Sequence, residues 1–190
     1  MRTLLNRLMT APLAAHGAAA AVTFLGFNWV KGKLDAHYAA SNHPVDYFTG
    51  QTSFSGETIK GYYGHMIEKG SLDIYWQTQL IDFGFILAIA CMGFFVCTLI
   101  GRLGRPNSFG RRVAVLAGIA VIFGALCDAI ENLLSFVLLT NPTDFPNWIA
   151  LPYSGFASLK FALITIGMLA VIVSLILSVG GKIFGKSKLG

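Results

Sequence analysis

Asp128, Glu131, Asn132 and Ser135 recur every three or four residues in GALCDAIENLLS, which places them on one stripe of a helix. Two carboxyls and an amide in one stripe can exchange a proton, hold a cation or grip a polar headgroup. The stretch from Val113 to Leu139 is otherwise apolar. Two further segments carry the same mark. YWQTQLIDFGF puts Tyr75, Gln79 and Asp82 on one helical face, and SGFASLKF sets Lys160 alone among apolar neighbours. Charged groups facing lipid are costly, so these residues are expected to turn inward and meet.

The elements that must carry them follow from composition. Apolar residues make up 55% of the 190 positions and charged residues 12%, against about 45–50% and about 25% in soluble domains. That balance excludes an ordinary soluble domain and points to an all-α polytopic membrane protein. Four apolar stretches, 12–30, 77–101, 113–139 and 149–179, are each long enough to cross a hydrocarbon layer of about 30 Å. They give a single transmembrane domain over residues 1–190, a bundle of four helices. The first stretch is Ala-rich (GAAAA at 17–21) and is expected to rely on close packing of small residues. Arg2 and Arg7 ahead of it also suit a secretory signal; a retained helix is the preferred reading.

Nine of the fourteen Lys and Arg fall on one side of this layout: Arg2, Arg7, Arg102, Arg105, Arg111, Arg112, Lys182, Lys186 and Lys188. The positive-inside rule then places both termini in the cytoplasm, and the expected location is a bacterial inner (plasma) membrane. The net charge of +5 reads as topology and contact with anionic membrane lipid, not as nucleic-acid binding. Cys91, Cys97 and Cys127 all lie within the predicted spans and are expected to pack as small hydrophobes. The outer loop, residues 31–76, is too long for a simple connector. Ile59, Tyr62, Tyr63, Met66 and Ile67 recur in it at helical spacing, which predicts a short amphipathic helix on the membrane surface or over the bundle. Gly70 is expected to end that helix and Ser71 to cap the next. Tyr75 and Trp76 should mark the outer interface of the second span, and Trp148 that of the fourth.

With these directions, the depths of the deep polar residues agree. Asp82 lies roughly 9 Å below the outer interface, Glu131 and Asp128 roughly 12–17 Å, and Lys160 roughly 12 Å. The expected cluster is Asp82, Asp128, Glu131, Asn132 and Lys160, with Tyr75 and Gln79 toward its mouth, in the outer half of the bilayer. His16 falls near the opposite end, with a packing or interfacial role. Three carboxyls facing one ammonium leave a charge of −2 if all ionise. Unpaired buried charge is expensive, so either a carboxyl carries a proton or a cation or basic ligand occupies the site. A polar clasp that fixes helix register is the bland alternative.

The pairing of YWQTQLIDFGF with GALCDAIENLL, followed by Lys160 in SGFASLKF, resembles a group of small four-helix bacterial membrane proteins of uncharacterised function. The likeness covers roughly residues 60–165, and its core is an acid–x–x–Glu–Asn triplet. It implies a four-helix fold and marks Asp82, Asp128, Glu131, Asn132 and Lys160, but supplies no activity. A looser likeness is to compact four-helix sterol-isomerase-like membrane proteins, with no residue pattern close enough to carry a role over.

No nucleophile elbow, phosphate-binding loop, HExxH or CxxC is present. His65 and Glu68 share a helix face, but ordinary surface polarity explains them better, and no metal and no cofactor are expected. Three functions fit. The first is binding of a lipid-like or apolar ligand, or service as an accessory subunit, through Asp82, Asn132, Lys160, Tyr75 and Gln79. The second is a membrane enzyme acting on a lipid or isoprenoid, with Glu131 or Asp128 as general acid/base and Lys160 or Asn132 stabilising developing charge. The third, a proton or cation pathway, ranks last because the inner halves of the second and fourth spans are almost entirely apolar. A membrane-protein partner or a homo-oligomer is left open.

Overall fold

The computed structural model describes residues 8–186, with side-chain surroundings from 8 to 178. Among the described residues it is all-helical, with no strand: α1 (Leu13–Ala40), α2 (Tyr47–Gln51), α3 (Gly56–Glu68), α4 (Leu72–Leu103), α5 (Phe109–Leu139), a 3-10 turn (Asn147–Ile149) and α6 (Ala150–Lys186). Four helices, α1, α4, α5 and the turn-plus-α6 segment, are long and apolar enough to cross a membrane. At 32 residues, α4 runs about 48 Å, well beyond a hydrocarbon core of about 30 Å. Their outward side chains are apolar too: Leu87, Leu116 and Ile176 are largely exposed, a surface that suits lipid and would be a liability in water.

The four spans are packed together, but not uniformly. α4, α5 and α6 close on one another through glycines. A Cβ at Gly93 would strike Val121 of α5 at 2.5 Å, and one at Gly167 would strike the same valine from α6 at 2.7 Å. Such positions let backbones approach and gain van der Waals contact, the main attraction between helices in lipid. α1 packs along α4 and forms no packed interface with α6. In its Ala-rich stretch Ala20 is buried, whereas Gly17, Gly26 and Gly32 meet nothing within 4 Å. Short hydrophobic side chains permit close approach but need an opposing surface to approach.

At one end, the α4–α5 turn carries Arg102, Arg105, Arg111 and Arg112, with the Ser108 hydroxyl capping α5 by accepting from Arg111 N–H. Arg2, Arg7 and Lys188 lie outside the described residues, and the side chains of Lys182 and Lys186 are likewise outside them. The other, "loop" end is covered by α2, α3 and the 3-10 turn. α1 reaches it by running to Ala40, ten residues past the expected limit at Val30. Its polar extension holds as helix through the Lys31–Asp35 ion pair one turn apart, so the expected 31–76 loop is mostly helical.

The predicted amphipathic helix is α3, and its apolar face lies over the bundle. Ile59, Tyr63 and Met66 are buried against Tyr75, Leu138, Phe145, Ile149 and Tyr153. Gly70, at φ +65°, ends it, with Ser71 N–H donating to Met66 O and Gly70 N–H to Ile67 O, a closure that favours glycine in the left-handed region. Ser71 stands at the N-cap of α4 but does not cap with its side chain; its hydroxyl donates to Ser41 O instead, tying the α3–α4 turn to the end of α1. Trp76 and Trp148 are exposed as expected of interfacial anchors, whereas Tyr75 is buried. Pro152 sits in the first turn of α6, where its missing N–H has no helical partner to lose.

Candidate functional site

The site forms where α5 and α6 meet below the loop end. Gly124 of α5 admits α6 closely: a Cβ there would lie 2.9 Å from Ile164 and 3.4 Å from Lys160 O. One turn further along α5 stand Asp128 and Glu131, and the Lys160 ammonium lies between them, 2.7 Å from Asp128 Oδ1 and 2.8 Å from Glu131 Oε2. Its third contact is Gln51 Oε1 at 2.9 Å. All three groups of the ion cluster are buried, Glu131 completely. Removing one member of such a buried pair typically costs about 3–5 kcal/mol, because the other charge is left uncompensated. The Lys160 ammonium also lies 4.9 Å from the Phe161 ring centroid.

Gln51 was not legible as a site residue. It ends the five-residue helix α2, which is held by its Asp46 cap: Thr49 N–H donates to Asp46 Oδ1 at 3.0 Å and the Thr49 hydroxyl to Oδ2 at 2.8 Å. Those two donors hold the Asp46 carboxyl below its usual range. A short helix with no hydrophobic period gives no signal that its last side chain reaches into the bundle.

Next to the ion cluster lies a cavity of about 250 Å³ whose floor includes Asp82, Asp128 and Lys160 and whose mouth carries Lys31, Asp35 and Tyr47. The Tyr47 phenol is pushed up by burial, with Asp35 and Asp82 adding to it. It is therefore a neutral donor, and it donates to Leu34 O at 3.3 Å. Asp82 is only 8% exposed, and has no hydrogen-bond partner among the described residues.

The expected residues thus separate into two groups. Asp82, Asp128 and Lys160 line the cavity; Glu131 stands behind Lys160, off the cavity wall. Tyr75, Gln79 and Asn132 are also off that wall. Asn132 Nδ2 donates to Gln79 O at 2.9 Å, joining α5 to α4. Tyr75 packs in an aromatic layer with Tyr63 and His43, at ring-centroid distances of 5.8 and 5.4 Å. The mouth is built from α1 and α2, which the sequence pattern did not place there. Glu131 Oε1 makes no hydrogen bond of good geometry, with the Tyr153 hydroxyl beside the carboxylate.

His16 closes the opposite end. It is buried, its Nε2 lies 3.1 Å from both Phe95 O and Thr98 Oγ1, and Arg102 Nη1 donates to its Nδ1 at 3.2 Å. A carbonyl on Nε2 and a guanidinium on Nδ1 require the neutral Nε2–H tautomer. Every ring nitrogen is satisfied, and the residue clasps α1 to α4.

Comparison with protein families, curated proteins and solved structures found no match.

Proposed function

We propose that the protein binds a lipid-like ligand within the membrane through the acid–lysine cluster, alone or as the accessory subunit of a membrane complex. The supporting observation is the cavity itself: it opens beside a buried ion cluster and presents Asp82, a carboxyl with no hydrogen-bond partner among the described residues, to whatever enters. Polar side chains buried at membrane depth are costly and are retained for a use, and a concave site with few convergent polar groups is the usual form of a small-molecule pocket. We place the protein in a bacterial inner membrane with both termini cytoplasmic, on the strength of the arginines at the α4–α5 turn and the positive-inside rule. The cavity then lies in the outer half of the bilayer.

Mass spectrometry of lipids carried through purification tests this reading. Wild type should retain a discrete species enriched over the membrane extract, and Asp82→Asn should lose that enrichment. Retention of bulk lipid in bulk proportions by both proteins would refute ligand binding at the cluster.

A second reading, acid–base chemistry on the bound lipid or isoprenoid, draws support from Asp128, the candidate acid that reaches the cavity wall. Glu131, off that wall, would act through Lys160. Under this reading Asp128→Asn abolishes turnover of a retained lipid while leaving its binding intact.

A further inference from the structure

Two voids in this molecule share walls. Below the polar cavity, toward the arginine end, lies a second one of about 400 Å³. Its lining residues are all apolar or glycine, among them Phe24 and Phe27 from α1, Val96 from α4, Val121 from α5, and Met168 and Ile172 from α6. Ile89 and Ile164 belong to both voids. Because α1 and α6 form no packed interface, this void is a groove between the first and last spans. Phe24, Met168 and Ile172 along it are more than half exposed. Taken together, the two voids reach the roughly 300–1,000 Å³ of a small-molecule site.

The polar end has a definite chemical demand. An ammonium has three N–H donors, and those of Lys160 are all engaged, by Asp128, Glu131 and Gln51. None is left for Asp82. Tyr47 donates to Leu34 O, and Lys31 is paired with Asp35. Asp82 is more than nine-tenths buried, lines the cavity and has no hydrogen-bond donor among the described residues. Ionised, the three carboxyls exceed the one ammonium by two charges, and the Lys31–Asp35 pair adds nothing net. A carboxylate headgroup would be repelled, a hydroxyl would supply a donor but no charge, and an ammonium supplies both.

We infer that the ligand of the proposed lipid site is an ammonium-headed, single-chain amphiphile, its head on Asp82 and its alkyl or prenyl chain in the groove between α1 and α6. This rests on the ligand-binding reading above and adds the sign of the head and the path of the chain.

The test uses full-length protein in nanodiscs, with empty nanodiscs subtracted, and radiolabelled dodecylamine as the probe. Unlabelled dodecylamine, 1-dodecanol and dodecanoate compete for its site. Dodecylamine should bind saturably and outcompete 1-dodecanol roughly tenfold or more, as expected of a hydrogen bond to a charged group. Asp82→Asn should remove that preference while 1-dodecanol competes as before. Met168→Trp, at a position 62% exposed and so free of packing demands, should weaken dodecylamine and 1-dodecanol alike by filling the groove. If the three competitors are equal on wild type, the ammonium assignment fails while ligand binding stands. If dodecylamine keeps its preference in Asp82→Asn, the head is not on Asp82. If Met168→Trp changes nothing, the chain does not lie in the groove. Absence of saturable dodecylamine binding, in a protein that still retains a discrete lipid, also overturns the inference and spares the broader reading.

Discussion

α1 and the α4–α5–α6 unit are both apolar and both of membrane-spanning length, yet they are held in different ways. In the three-helix unit, Gly93, Gly124 and Gly167 face side chains that a Cβ would strike at 2.5–2.9 Å, and buried residues recur along the whole of α5. In α1 the buried residues are His16, Ala20 and Leu34, and its glycines face open space. It packs along α4, with the His16 clasp near one end, Phe27 against Phe85 at mid-span and buried Leu34 near the cavity mouth. Hydropathy therefore identifies a span, but only a small residue opposite a neighbour makes a close-packed one. The loosely held helix is the one that leaves a groove, and the ion cluster is anchored on the rigid unit beside it.

The largest contrast is expected between two lysines on the same cavity. Lys160→Met, on the rigid unit, leaves buried carboxylates uncompensated and should cost about 3–5 kcal/mol in denaturant unfolding in mixed micelles. Lys31→Met on α1 removes a half-exposed ion pair and should cost about 0–1 kcal/mol. Equal costs would erase the distinction between the two regions.

A packing contrast comes next. Gly124→Leu overfills the α5–α6 contact and should destabilise by about 1–3 kcal/mol, whereas Gly17→Leu on α1 should stay within about 0.5 kcal/mol by the same measurement. Loss of stability at Gly17 would mean that α1 is packed more tightly than its open glycines indicate.

The smallest effect concerns the loop-end cover. His43, whose Nδ1–H donates to Val45 O at 2.9 Å, stacks on Tyr38 at 5.1 Å. Burial depresses its affinity for protons below the ordinary value of 6.5. The unfolded state then binds more protons as pH falls below 6.5, so His43 destabilises the cover on acidification and is neutral above that pH. Hydrogen-exchange protection in α2 and α3, corrected for the intrinsic pH dependence of amide exchange, should fall below that point in wild type, and His43→Asn should flatten the response.

Much of the rigid unit was legible in the sequence because its signals are periodic. The Asp128–Glu131–Asn132–Ser135 stripe and the Tyr75–Gln79–Asp82 face fix which sides of α5 and α4 turn inward. Helical rise alone brings Lys160 to the same depth. The cavity mouth was not legible. Lys31, Lys33, Asp35 and His37 look like loop residues, although an i,i+4 ion pair lets them continue α1 beyond the apolar stretch. Gln51 reaches Lys160 from a helix too short for a pattern. Tyr75 was expected at both an interface and a mouth, because an aromatic at a span end looks the same whether it meets headgroups or, as found, the underside of α3.

The convergence of α5 carboxylates on the α6 ammonium is the central claim, and a double-mutant cycle of Asp128→Asn with Lys160→Met tests it most directly. Contact at 2.7 Å predicts that the two substitutions are coupled by about 1 kcal/mol or more. Additivity to within about 0.5 kcal/mol would mean the two groups do not meet, and would contradict the account.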